Sequence, residues 1–219
     1  MTSKLPLKHR KNLNKKQNMP REIKFRQTHL RSISLNNASN YVGKYFGMFN
    51  ISTKAMSNGT LAHKNIEEYI LEKKCLPEFI STRLQALNKD FIENEDTFLG
   101  VEEYHKIFLF EETYEGELYK IYLTGSVDLN FNNDYIIDWK TQLNPTSTVT
   151  IASYLNSGQL EIYSLFYPKA KGGIYVKIYK DTVVDLGYKP FSESNRNAVK
   201  ERMTDKAKLF FNSLKPFLF

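Results

Sequence analysis

The chain has 219 residues, of which 41% are hydrophobic and 14% aromatic, which is ample for one packed core and too apolar for wholesale disorder. The single cysteine, Cys75, excludes an internal disulfide and a cysteine-held iron–sulfur cluster, and no apolar run reaches the ~20 residues of a membrane span. The net charge of +7 is uneven, because residues 1–31 hold ten Lys and Arg against Glu22 alone.

The basic segment is predicted to be a flexible N-terminal arm, residues 1–31, on a single folded domain, residues 32–219. Lys and Arg release counterions from phosphate, so the arm suits a polyanion, while a merely solvated terminus explains it equally well. A third interpretation is an organelle-targeting presequence, although the arm is richer in Lys and Asn than in Arg and Ser. Without an apolar segment resembling a secretory signal, a reducing intracellular compartment is expected.

Hydrophobic periodicity predicts helices first, then strands, then a mixture of both. In chain order the predicted elements are helices at 32–46, 56–74 and 76–94, strands at 98–110, 116–131 and 134–142, a helix at 153–166, strands at 173–180 and 182–188, and a closing helix that begins at Ser192 or Ser194. The three central strands, joined by short polar turns, indicate an antiparallel meander. This order predicts an α/β (α+β) fold with a mixed central sheet flanked by helices.

A D-x-K triplet lies in the third strand of this meander. Asp138 and Lys140 are two residues apart and share one face, whereas Ile137 and Trp139 point to the other, into the core. A surface ion pair would explain an isolated triplet of this kind as well. Asp128, at the end of the adjoining strand, can approach Asp138 across the tight turn, and this favours a functional site over an ion pair.

Two close carboxylates are tolerated best when a cation lies between them, and their oxygens favour a hard ion such as Mg²⁺ or Mn²⁺. A lysine beside that ion can orient a water and neutralise charge that develops on a phosphate. Asp128, Asp138 and Lys140 together therefore indicate phosphodiester hydrolysis.

Further short motifs accompany the triplet, and they occur in a fixed order along predicted helices and strands. A glycine precedes the first carboxylate by three residues, a Gln and a Tyr share one face of the next helix, and a helix upstream begins with G-x-x-x-H. The four motifs are GTLAH (59–63), GSVD (125–128), DWKT (138–141) and QLEIY (159–163).

In this order the motifs resemble the RecB-like branch of the PD-(D/E)XK nuclease superfamily, over about residues 57–167. The chain is similar there to small phage exonucleases and to the mitochondrial genome maintenance exonuclease. The resemblance implies a restriction-endonuclease-like core and a metal-dependent DNA exonuclease. The members that hold an iron–sulfur cluster carry four cysteines, so that subgroup is excluded here.

The resemblance also implies a role for each motif residue. Asp128 and Asp138 would bind Mg²⁺ or Mn²⁺ together with the main-chain carbonyl of Trp139, and His63 would reach the ion from its helix. Lys140 would position the attacking water. Gln159 and Tyr163 would support the site and contact the DNA strand. The acidic residue that the family often has at the start of the first meander strand would be Glu102 rather than its neighbour Glu103.

The expected substrate is DNA with single-stranded ends or flaps, in viral or organellar replication or recombination, with a replication or recombination protein as a further partner and no membrane. The cytoplasm of an infected host is the expected location, with the mitochondrial matrix as the alternative. Tyr41, Tyr45 and Phe46 could stack on bases where the strand enters, although core packing explains them equally well. The alternatives are an endonuclease of the same fold, of restriction or junction-resolving type, and a non-catalytic nucleic-acid-binding module.

Overall fold

The computed structural model of the chain describes residues 20–46, 54–89, 91, 93, 97–142 and 148–218. In this part of the chain no helix combines the length and the apolar character needed to cross a membrane. The helices are α1 (Gln27–Ser32), α2 (Val42–Tyr45), α3 (Lys54–Lys73), α4 (Glu78–Leu87), α5 (Ile151–Leu155), α6 (Gln159–Phe166) and α7 (Glu193–Leu214), with 3₁₀ turns at Ala38–Tyr41 and Lys215–Phe217. The strands are β1 (Arg21–Arg26), β2 (Phe98–Tyr114), β3 (Glu117–Phe131), β4 (Tyr135–Thr141), β5 (Gly172–Tyr179) and β6 (Thr182–Pro190).

The described strands form one six-stranded mixed sheet built on the long hairpin of β2 and β3. β2 pairs antiparallel with the whole of β3, so only the other edge of β3 remains for further neighbours. β1 runs parallel to the first part of that edge, and β4 runs antiparallel to its end. β5 lies parallel to β4, and β6 antiparallel to β5. The predicted fold class, a mixed central sheet with an antiparallel meander flanked by helices, is confirmed.

Two apolar clusters hold the helices on the sheet. One packs α1, α6 and α7 against β1 and β3 through residues such as Phe25, Leu123 and Phe210. The other packs α3 and α4 against the ends of β3, β4 and β5, and it includes Ile137 and Trp139. Trp139 is only 2% exposed, so the predicted inward orientation of this side chain is confirmed.

The predicted end of the arm at residue 31 is wrong, because residues 21–32 form β1 and α1. Ile23 and Phe25 alternate with charged neighbours in the sequence REIKFR, and both are buried beside β3. The surrounding charges conceal a strand period of two residues. The part of the predicted arm that precedes residue 20 lies outside the described residues.

Two helix predictions also need correction. The helix expected at 153–166 is divided into α5 and α6 by Gly158, whose φ of +76° lies in the left-handed region that glycine enters without penalty. The helix expected at 32–46 is replaced by the end of α1, a 3₁₀ turn and the single turn α2. The closing helix begins as predicted after Ser192, whose hydroxyl accepts the N–H of Asn195.

The GSVD segment occupies a stretch of the β3 edge that neither neighbouring strand covers. Pairing with β1 ends at Thr124, and pairing with β4 begins at Leu129. A Cβ atom on Gly125 would lie 2.9 Å from Gln27 Cγ and 3.1 Å from a ring carbon of Phe166. Glycine therefore allows α1 and α6 to approach β3 at the start of this motif.

A Gly125→Ala substitution should lower the free energy of unfolding by about 1–3 kcal/mol, because the added methyl group overpacks a buried contact. Urea denaturation measures this directly. The matched control is Ser126→Ala, at the exposed neighbouring position, which should stay within about 0.5 kcal/mol of the original protein. Equal stability of the two variants would contradict the assigned role of Gly125.

Candidate active site

The site lies where β3 and β4 diverge. Their ladder contains three residue pairs and ends at Leu129 opposite Ile137. Continued pairing would place Asp128 opposite Asp138, but the Asp128 carboxylate instead accepts the main-chain N–H of Trp139, with an Oδ2–N distance of 2.7 Å. The fork between the strands therefore holds two carboxylates near each other and opens a space beside them.

Side chains from a helix and two strands converge at this fork. His63 from α3 has its Nδ1 atom 3.5 Å from Oδ2 of Asp128 and 3.7 Å from Oε1 of Glu102. One potential ligand atom from each of the three residues lies within 4.8 Å of the others. Two carboxylates and an imidazole form a donor set suited to a divalent cation, with oxygens for Mg²⁺ and a nitrogen that Mn²⁺ also accepts. We call His63, Glu102 and Asp128 the acidic cluster.

The backbone of Glu102 is unusual, with a φ of +50° in a region that L-residues seldom occupy. Such a conformation costs of order 1–3 kcal/mol and is held in place by its surroundings. It separates Glu102 from Glu103, which accepts a hydrogen bond of 2.7 Å from the Tyr167 hydroxyl. The structure thus places Glu102, and not its neighbour, beside His63.

The electrostatics of His63 follow from the two carboxylates. Burial opposes the charged imidazolium, but Asp128 and Glu102 outweigh it and raise the pKa of His63 to about 10. The ring is therefore protonated at neutral pH when no cation is bound. Because a ligating imidazole must be neutral, uptake of a divalent ion at this site would release that proton.

The D-x-K motif lies next to the acidic cluster and is engaged differently. Asp138 is fully buried; its Oδ1 accepts from the Gln159 amide at 3.0 Å, and its Oδ2 pairs with the Lys140 ammonium. Burial raises the pKa of Asp138 to about 6, against the opposing effect of Lys140. Asp138 lies outside the acidic cluster. Its role as a ligand of the metal ion, like that of the Trp139 carbonyl, therefore stays a prediction.

The QLEIY motif braces Asp138 from α6. The Gln159 amide nitrogen also donates to the Tyr163 hydroxyl at 2.6 Å, and its oxygen accepts from Arg31 at 3.0 Å. Gln27 donates to the same hydroxyl at 3.5 Å. Arg31 and Gln27, both on α1, are absent from the sequence predictions, because they carry no local signal and reach the site only through the parallel pairing of β1 with β3.

An open cleft of about 800 Å³ lies over the acidic cluster. A Cβ on Gly59 would approach Thr141 Oγ1 to 3.3 Å, so the glycine of the first motif allows α3 to lie close to β4. Residues of three motifs therefore line this cleft, and the fourth motif contacts Asp138 of the third through Gln159. The residues that line the cleft are Gly59, Thr60, His63, Lys64, Glu67, Glu102, Asp128, Trp139, Lys140 and Thr141.

Comparison with protein-family models and with curated proteins finds no match. Several solved structures are similar. The structure of SSO0001 is 18% identical, with 94% of this chain and 81% of that chain covered and a TM-score of 0.38. A candidate exonuclease from Eubacterium rectale is 10% identical, with coverage of 88% and 84% and a TM-score of 0.45. The alkaline exonuclease LHK-Exo from Laribacter hongkongensis is 10% identical, with coverage of 87% and 93% and a TM-score of 0.40.

Proposed function

We propose that this protein is a metal-dependent nuclease that hydrolyses phosphodiester bonds in DNA. The observation that carries the proposal is the acidic cluster, which lies in an open cleft that Lys140 also lines. Three of the four RecB-like motifs line this cleft and the fourth holds Asp138 through Gln159, which supports the same conclusion.

His63, Glu102 and Asp128 would hold the divalent ion, and the resemblance adds Asp138 and the Trp139 carbonyl. When bound, such an ion activates a water and neutralises charge on the phosphate.

The remaining residues of the site orient one hydrogen-bond donor, the Lys140 ammonium. Lys140 presents its ammonium to the cleft, where it can hydrogen-bond a phosphate oxygen as negative charge builds up. Asp138 fixes that ammonium by ion pairing, and the Gln159 amide fixes the carboxylate of Asp138 in turn. Since Asp138 is buried, it cannot meet solvent and has few alternative orientations.

The finer proposal is an exonuclease that uses Mg²⁺ or Mn²⁺, acts on single-stranded ends or flaps and leaves 5′-phosphates. Its setting would be viral or organellar DNA replication or recombination, in the host cytoplasm or the mitochondrial matrix. The family resemblance supports these details, and the excess of Lys and Arg before residue 20 supports a polyanionic substrate.

End-labelled linear single- and double-stranded DNA and covalently closed circles, each with Mg²⁺, Mn²⁺ or EDTA, test this function. We expect linear DNA to be degraded with either ion, EDTA to stop the reaction and circles to stay intact. Rapid nicking of circles would indicate an endonuclease. DNA binding without cleavage under any of these ions would indicate a binding module.

Arg31→Met should lower the cleavage rate about 10- to 100-fold, the usual effect of losing a partner that orients a site residue. Without the guanidinium, the Gln159 oxygen loses its donor, so the amide is held less firmly in the orientation in which its nitrogen donates to Asp138. Steady-state kinetics measure the loss, and Arg31→Lys should recover part of it. Arg83→Met, at an exposed position of α4, is the control and should cleave normally.

A further inference from the structure

One face of the β2–β3 hairpin is exposed beside the acidic cluster. Successive strand residues point to opposite faces, so Tyr104, Lys106 and Phe108 share one face of β2, and Tyr104 follows Glu102 by two residues. Tyr104 is 58% exposed and Phe108 45% exposed, which is unusual for large aromatic and apolar side chains on regular strands. The opposite face of the hairpin is buried, with Leu123 at 0% exposure.

Aromatic rings and cations are interleaved on this exposed face. The Lys106 ammonium lies 4.0 Å from the centre of the Tyr122 ring, and the Phe108 ring meets the same ring edge-to-face at 5.8 Å between centroids. Lys24 on β1 lies opposite Tyr122 in the parallel pairing. We call Lys24, Tyr104, Lys106, Phe108 and Tyr122 the outer strip.

The outer strip begins at the candidate active site. In the hairpin register Tyr104 lies opposite Ser126, which is two residues from Asp128 in β3. From Tyr104 to Phe108 the strand then extends by about 13 Å away from the cleft. A flexible chain whose phosphate occupied the cleft could therefore continue directly along the strip.

The charge of the strip matches a polyanion. Lys24 and Lys106 both contribute, and the exposed Arg26 follows on the same side of β1. The acidic group among them is Glu22, which pairs with Lys106 at 2.7 Å and with Lys24 at 3.6 Å. Among these four residues three cations thus face one carboxylate, and Glu22 offsets part of their charge.

We propose that the outer strip is the track on which a single-stranded DNA substrate lies as it enters the cleft, an inference that rests on the proposed nuclease function. Exposed rings bind unpaired bases by stacking, whatever the sequence, while lysines follow the phosphates. The bases of an intact duplex are already stacked on one another and cannot reach these rings. The strip therefore selects single strands.

Binding of a fluorescent oligothymidylate in EDTA tests the track without cleavage. Tyr104→Ala combined with Phe108→Ala should raise the Kd on the order of 10- to 100-fold, because two stacking platforms are lost. Tyr104→Phe keeps its ring and should bind nearly as the original protein does. Phe217→Ala removes an equally exposed ring, 58%, elsewhere on the chain and should leave the Kd unchanged.

Glu22→Gln provides a test that misfolding cannot imitate, because it should tighten binding. Removing the carboxylate frees Lys24 and Lys106 for phosphates, so we expect a severalfold lower Kd and a steeper dependence on salt concentration. Unchanged binding both in this variant and in the double aromatic variant would overturn the proposal. If the double aromatic variant lost affinity for blunt duplex and for single strands to the same extent, the strip would not select single strands.

A substrate too short to reach the strip separates this proposal from the nuclease function. Thymidine 5′-(p-nitrophenyl phosphate) should be cleaved equally by the original protein and the double aromatic variant. If both cleave it but oligonucleotide binding is unaffected, the track is wrong and the nuclease function stands. If neither cleaves it or DNA with any ion, yet the variant binds DNA more weakly, the nuclease function is wrong and the strip stands as a binding surface.

Discussion

Asp128→Asn should reduce DNA cleavage by about a thousandfold and weaken divalent-ion binding at the same time. The amide oxygen of asparagine can still accept the Trp139 N–H, so the fork between β3 and β4 is retained. What is lost is one of two anionic groups in the acidic cluster. An ion held there would contribute several kcal/mol of charge stabilisation to the reaction, and its loss would have an effect of this size.

Single-turnover cleavage and calorimetric titration with Mn²⁺ measure the two effects on one preparation, and circular dichroism checks that the fold is kept. Asp134→Asn is the matched control, because this carboxylate lies in the turn before β4 and pairs with Lys171. The control should cleave DNA and bind Mn²⁺ as the original protein does. Normal cleavage by Asp128→Asn would contradict the assignment of the site.

Lys140→Met should also reduce cleavage, by about 10²–10³-fold, but should leave divalent-ion binding in place. Lys140 lines the cleft but is not part of the acidic cluster. Its ammonium pairs with Asp138. Loss of one preorganised donor to a reacting oxygen has an effect of this magnitude. Methionine keeps an apolar stem of similar length, but it loses the contact of the ammonium with the rings of Tyr154 and Tyr175, whose centres lie 5.9 Å and 5.3 Å from Nζ.

The same two measurements distinguish this variant from the previous one. Lys64→Met is the control, since Lys64 lines the same cleft but pairs with Glu68 along the surface of α3. We expect the control to lose little activity. Loss of Mn²⁺ binding in Lys140→Met, or normal cleavage by it, would contradict the separate roles given to the ammonium and to the acidic cluster.

The parts of the fold that depend on short-range pattern could be predicted from the sequence. The alternation in DWKT places Trp139 in the core, and a tight turn before it brings β3 and β4 together. The spacing of Gln159 and Tyr163 on one helical turn predicts a shared face, and the two side chains are hydrogen-bonded. In these cases the neighbouring residues alone determine the geometry.

The parts that depend on distant pairing could not be predicted in this way. Arg31 reaches Gln159 across 128 positions of sequence, and only the parallel pairing of β1 with β3 brings α1 to the site. The separate orientations of Glu102 and Glu103 depend on a positive φ that two adjacent glutamates do not reveal. Tyr45, considered for base stacking, packs instead against Phe25 and Phe210.

The central claim is that the acidic cluster binds the divalent ion on which cleavage depends. Electron paramagnetic resonance of Mn²⁺ tests it most directly, because bound Mn²⁺ loses the sharp signal of the free ion. We predict that the original protein and Lys140→Met remove the free signal as they are titrated in, whereas Asp128→Asn does not. Equal Mn²⁺ binding by Asp128→Asn and the original protein would contradict the claim.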